Sequence, residues 1–155
     1  MNSENRQVGR LLGIAIRKKS RAEMIVSTAI DVTTQSGLDD DFRGKSRKRQ
    51  VTVLSTEAWQ EACDAIGKPL PWTTRRANLL VSGLDLLETT GAIIQLGDVQ
   101  LEVTGQTDPC ERMDEYSAGL QTALLPDWRG GVCCRVIAAG RLQEGQDVTL
   151  SQSCS

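Results

Sequence analysis

The segment Thr107-Asp108-Pro109-Cys110-Glu111-Arg112 places one thiol where a turn meets the start of a helix. Asp108 suits an N-cap, Pro109 the first helical position and Glu111 the third, which together make an Asp version of a capping box. Cys110 then falls in the first turn. Unpaired backbone N–H groups and the positive end of the helix dipole favour a thiolate there over a thiol. Asp108 and Glu111 oppose that shift by like charge, and Arg112 offsets part of it. The alternative is a half-buried cysteine at an ordinary helix start. Either way the chemistry on offer is sulfur chemistry, because the chain has no histidine. That absence excludes a Ser-His-Asp triad, a Cys-His dyad, an HExxH zinc site and any imidazole ligand.

Two further segments could recognise an anion. In Thr73-Thr74-Arg75-Arg76-Ala77-Asn78, Arg76 and Asn78 are two apart, so an extended backbone projects both from one face. A guanidinium fork beside an amide suits a phosphate or the donor-rich edge of a pterin-like ring. The competing reading is an arginine paired with a surface carboxylate. The loop Arg43-Gly44-Lys45-Ser46-Arg47-Lys48-Arg49 has five basic residues in seven and follows the acidic triplet Asp39–Asp41. A solvated loop and a small-molecule phosphate site both fit it better than nucleic acid, since the chain is acidic overall, with a net charge of −2. Gly44-Lys45-Ser46 lacks the upstream glycine of a Walker A loop. Cys133 and Cys134 are adjacent, so on a strand they point to opposite faces and make poor joint ligands. Cys63 lies on an apolar helical stripe and reads as core. Cys154 lies in a polar tail.

The elements that must position these residues are mostly strands. Leu11–Ile16 and Met24–Val32 read as strands around the basic turn 17–21. Gln50–Leu54 reads as another. A helix follows, capped by Ser55 or Thr56, with Trp59, Ala62, Cys63 and Ile66 on one face and Gly67 as its stop. Ala92–Leu96 and Val99–Thr104 form a hairpin about Gly97-Asp98, the second arm alternating Val99, Leu101, Val103 inward. Val132–Ala139 and Asp147–Leu150 close the set. The expected fold is mostly β with a few helices, a small β-barrel or rolled sheet with helices at its edges.

Length and composition agree. The 155 residues fit one domain, expected over 10–151 with a flexible segment 1–9 before it and a tail 152–155 after it. Five aromatics leave the core to Val, Leu, Ile and Ala. Residues 1–50 carry 11 Lys/Arg against 6 Asp/Glu, whereas 51–155 carry 7 against 14. The basic first third implies an anion-facing surface, unless these are simply two complementary faces of one domain. No apolar run approaches the roughly 20 residues that span a bilayer, and no signal-peptide core is present. Five cysteines without a CxxC fit a reducing cytoplasm.

In order and spacing the segments resemble a small stand-alone MOSC domain, the module named for the C-terminal part of molybdenum cofactor sulfurases. The matching pieces are Arg49–Leu54 with Glu57, Arg76-Ala77-Asn78-Leu79 with Gly83-Leu84, Gly91 through Asp98, and Leu101–Thr104 with Pro109-Cys110. Arg129-Gly130-Gly131-Val132 and Gly140-Arg141-Leu142 with Gly145 complete them. The resemblance implies a distorted barrel. It implies that Cys110 is the family's diagnostic cysteine, which ligates the metal in members that bind molybdenum cofactor and is proposed to carry sulfur as a persulfide in others. It also assigns Arg76 and Asn78 to the pterin and its phosphate. Thr107, Arg49 and the Lys19 of Lys19-Ser20 are further cofactor contacts on the same ground. The implied partners are molybdenum cofactor or a sulfur-donor protein, with a redox partner for a reductase; no membrane and no nucleic acid are expected. The pyridoxal-phosphate domain of the sulfurases has no counterpart here, and no lysine lies in a pyridoxal motif. The expected activity is therefore a cofactor-dependent reductase or a sulfur carrier working through Cys110. A non-catalytic binding or regulatory module using the basic loop 43–49 is the alternative.

Overall fold

The structure is a computed structural model and describes residues 4–46 and 48–153, so Arg47 and Cys154 lie outside the described residues. Eleven strands and three short helices follow in chain order. They are β1 (Glu4–Ile16), β2 (Ile25–Ser27), β3 (Ala29–Thr33), β4 (Gly37–Leu38), β5 (Val51–Ser55), α1 (Thr56–Ile66), β6 (Leu79–Ser82) and β7 (Ile93–Leu96). Then come β8 (Val99–Gln106), α2 (Arg112–Tyr116), α3 (Leu120–Leu124), β9 (Val132–Ala138), β10 (Gly140–Gln143) and β11 (Asp147–Ser153). The fold is mostly β. Seven strands close into a barrel in the order β1-β11-β7-β8-β9-β5-β6, with β6 returning to β1. The short strand β2 hangs on the end of β1, and β10-β3-β4 form a small second sheet.

The alternating arm of β8 sends Val99, Leu101 and Val103 into the barrel, where they meet Ile94, Leu96, Val132, Val148 and Leu150. Each such side chain contributes roughly 1.5–3 kcal/mol by leaving water. Outside the barrel, α1 lays Trp59, Ala62 and Cys63 against Leu54, Leu80, Leu120 and Leu124, a second apolar cluster. The ends of α1 follow from its sequence. Ser55 Oγ accepts the Ala58 N–H at 3.2 Å, and Gly67 ends the helix at φ 69° with its N–H donated to Asp64 O.

Three expectations change. The segment 4–9, expected as a flexible leader, is the first half of β1 and pairs with β11 from Glu4↔Ser153 to Arg10↔Asp147. Its described side chains lie at the surface or half-buried, so backbone hydrogen bonds hold it and no apolar pattern marks it. Gly9 lies so close to β6 that a Cβ there would sit 1.8 Å from Ser82 O. The run 24–32 is two strands, β2 on the barrel and β3 in the small sheet. They divide at Thr28, whose carbonyl takes the Glu144 N–H at 2.8 Å. Finally, the helix expected to begin at Pro109 behind an Asp108 cap begins at Arg112 and has five residues.

Candidate functional site

A cavity of about 630 Å³ opens where β1 and β8 end and β6 and β9 begin. Each wall brings part of the chemistry. The segment after β1 supplies Arg17, and the loop before β5 supplies Asp41, Arg43, Lys48 and Arg49. The approach to β6 supplies Arg75, Arg76 and Asn78. The segment after β8 supplies Thr107, Asp108, Cys110 and Arg112, and β9 supplies Cys133. Seven Lys/Arg side chains face two Asp. The three candidate segments of the sequence converge on one site.

Cys110 is exposed on the segment that joins β8 to α2. The turn there starts from its own carbonyl, which takes the Met113 N–H at 3.0 Å, and Glu111 O takes the Asp114 N–H at 3.1 Å. Asp108 is therefore not the N-cap, and Glu111 stands at that position in helical backbone without a side-chain cap bond. A five-residue helix also carries little of the macrodipole expected from a longer one. The electropositive setting of Cys110 comes instead from side chains.

Arg75 is the residue that the spacing argument missed. It is 7% exposed, donating from Nε to Gly130 O and from Nη2 to Thr107 O, both at 3.0 Å. Its Nη1 meets only the Met113 thioether at 4.0 Å. Burial draws the guanidinium down to about 10, while Cys110 and Cys133 pull the other way, so it stays charged at neutral pH. Gly130 makes this clamp possible: a Cβ there would lie 2.8 Å from Thr107 O and 3.1 Å from Arg75 Nη2. The adjacent pair Arg75-Arg76 was the available signal. A 3₁₀ turn over Trp72–Arg75 has no period that sequence reading could use to tell which arginine turns inward.

Arg76 and Asn78 both line the cavity, but not from an extended segment. Arg76 closes the 3₁₀ turn in the left-handed region at φ 65°, with its N–H on Thr73 O. Its Nη2 donates to Ala22 O, and its buried Nε has no partner among the described residues. Asn78 is occupied in joining strands: its Oδ1 accepts the Thr52 N–H at 2.9 Å, and Nδ2 donates to Ala15 O at 3.1 Å. Thr107 is buried, its N–H on Gly131 O at 2.9 Å and its hydroxyl 3.1 Å from Cys133 Sγ. Arg49 is exposed at the rim. Lys19 is exposed and outside the lining, which takes Ser20 instead.

Asp41 stands among these cations. Its carboxylate accepts the Arg17 N–H at 3.1 Å and the Arg43 N–H at 3.3 Å. Burial raises it above the ordinary carboxylate value, and those two hydrogen bonds resist the shift. The guanidinium groups of Arg17 and Arg43 lie over the Phe42 ring, 5.7 and 5.9 Å from its centroid. On β9, strand alternation separates the two adjacent thiols: Cys133 faces the cavity and Cys134 faces the barrel core. Burial pushes the Cys134 thiol far up, which removes it from thiolate chemistry. Among the described residues no cluster of three His, Cys, Asp or Glu could hold a metal ion, and no helix is long and apolar enough to cross a membrane. What the cavity offers is one exposed thiol among seven cationic side chains.

The architecture is shared with solved structures. YuaD of Bacillus subtilis superposes with a TM-score of 0.83 at 20% identity, over 97% of this chain and 99% of that one. YiiM of Escherichia coli matches at 0.68 and 16% identity, over 94% of this chain and 70% of that one. YiiM of Geobacillus stearothermophilus matches at 0.66 and 18%, over 94% and 75%. No curated protein sequence matches the chain significantly. The family model for the MOSC domain matches residues 39–149, a stretch that runs from the acidic triplet through Cys110 to β11. On that match the chain belongs to the MOSC domain family.

Proposed function

We propose that the cavity binds molybdenum cofactor, with the Cys110 thiolate as the protein ligand of the metal. The observation that carries this reading is an exposed thiol at a cavity lined by seven Lys/Arg and two Asp. The MOSC family is associated with that cofactor. The donor set fits the group: a soft thiolate suits molybdenum, and the unpartnered Nε of Arg76 calls for an anionic acceptor such as the cofactor's phosphate. Arg43, Lys48 and Arg49 supply further charge at the rim, and the Asp41 carboxylate can accept from ring N–H groups. Asn78 acts behind them by holding β1, β5 and β6 in register. When bound, the cofactor supplies electron transfer to N-hydroxylated or similarly oxidised substrates, with electrons from an external redox partner. A reducing cytoplasm would keep Cys110 available as a thiol.

A second reading uses the same atom. The exposure of Cys110 lets a donor protein or small molecule reach Sγ, which supports a carrier that holds sulfur as a persulfide. By contrast, Arg43, Lys48 and Arg49 line the same cavity as Cys110, which ties the basic loop to a small ligand more closely than to a nucleic-acid partner. The test is purification from a host that makes molybdenum cofactor, with metal and oxidised-pterin fluorescence measured for wild type and Cys110→Ser. Cofactor binding requires near-stoichiometric metal and pterin in wild type and loss of metal in the variant. Neither metal nor pterin in wild type would overturn it.

A further inference from the structure

The cavity is equipped for an oxyanion and sets a thiol beside it. Arg75 is buried, and its Nη1 has no oxygen acceptor, only the Met113 thioether at 4.0 Å. The buried Nε of Arg76 has none either. A buried charged donor without an acceptor is costly to maintain, and one beside a second guanidinium whose Nη1 meets only a thioether describes a receptor for an anion. Phosphate or sulfate would satisfy them and remain inert. An oxyanion that also carries sulfane sulfur would meet the Cys110 thiol lining the same space.

We propose that Cys110 is loaded with sulfur directly by a small anionic donor of the thiosulfate class, whose oxygens are held by Arg75 and Arg76. This rests on the sulfur-carrier reading. The Cys110 thiolate attacks the outer sulfur of thiosulfate. One S–S bond forms at Sγ, the S–S bond within the donor breaks, and its electron pair leaves on sulfite. The thiol proton passes to solvent, which reaches the exposed side chain. The products are a Cys110 persulfide and free sulfite, with no external oxidant or reductant. In water a thiolate and a thiosulfate dianion repel each other. Among seven cationic side chains that repulsion is offset, and the same guanidinium groups receive the charge that develops on departing sulfite.

The experiment incubates protein, purified from a host that does not make molybdenum cofactor, with thiosulfate. It reads sulfite release, sulfur gain located by peptide mass spectrometry, and thiocyanate formed when cyanide removes the sulfur. One sulfur atom per chain at Cys110 with matching sulfite is expected, absent in Cys110→Ser and unchanged in Cys63→Ala. Sulfate should compete. Arg76→Gln should raise the KM for thiosulfate about tenfold, the scale of one charge-assisted hydrogen bond. A cysteine desulfurase charged with cysteine is the comparison donor. Loading from the desulfurase without sulfite release from thiosulfate overturns the donor class and leaves the carrier reading standing. No loading from either overturns both. Sulfite release that persists in Cys110→Ser, or an unchanged KM in Arg76→Gln, also overturns the assignment.

Discussion

Asp41 links the charge of the cavity to the stability of the fold. Its carboxyl titrates above the ordinary carboxylate value in the folded chain because it is buried, despite the Arg17 and Arg43 amides that favour the ionised form. The folded state therefore holds that proton more tightly than the unfolded state does. The stability so gained is fully present below the unfolded value of about 3.9 and is lost as pH rises through the folded one. Asp41→Asn removes this contribution. In urea unfolding, wild type should gain stability relative to the variant as the pH falls from neutral, and a gap moving the other way would refute the assignment. At this scale the sequence disclosed Cys110, because a thiol without histidine partners left few other chemistries. It disclosed neither Arg75 nor Asp41. Their roles come from where a 3₁₀ turn and an irregular loop direct them, and neither element has a period to read.

Elements bounded by strong local chemistry were legible: α1 between Ser55 and Gly67, and β8 through its alternation. Elements held by tertiary contacts were not. The start of α2 gave way to a turn closed by the carbonyls of Cys110 and Glu111, and β2 and β3 separate at Thr28 only because two different sheets claim them. The element that matters most to the site is the clamp of Arg75 on the segments before Cys110 and before β9. Gly130→Ala pushes a methyl against Thr107 O and Arg75 Nη2 and must open it. The expected cost is about 2–3 kcal/mol in urea unfolding, from two buried hydrogen bonds to a charged group, with weaker sulfate binding at the cavity. Gly105→Ala, which meets nothing within 4 Å, is the control and should cost little. Equal effects of the two substitutions would refute the clamp.

For the whole molecule, the charge asymmetry of the sequence becomes spatial. The basic first third delivers Arg17, Arg43, Lys48 and Arg49 to the cavity, while Glu57, Glu61, Asp85 and Asp127 of the acidic remainder line a separate cleft. The barrel itself depends on β1, which pairs with β11 through its first half and with β6 and β2 through its second. A chain shortened to begin at Leu11 loses the whole β1–β11 ladder. It should lose the single cooperative unfolding transition of the full chain, and a retained sharp transition would show the ladder to be dispensable.

The same ladder sets an order of events. The seam joins Glu4 to Ser153 and Arg10 to Asp147, so the first of the eleven described strands bonds to the last. The barrel cannot shut before β11 has been made. Until β11 emerges, the nascent chain presents an unpaired strand edge along residues 4–10, a template for mispairing.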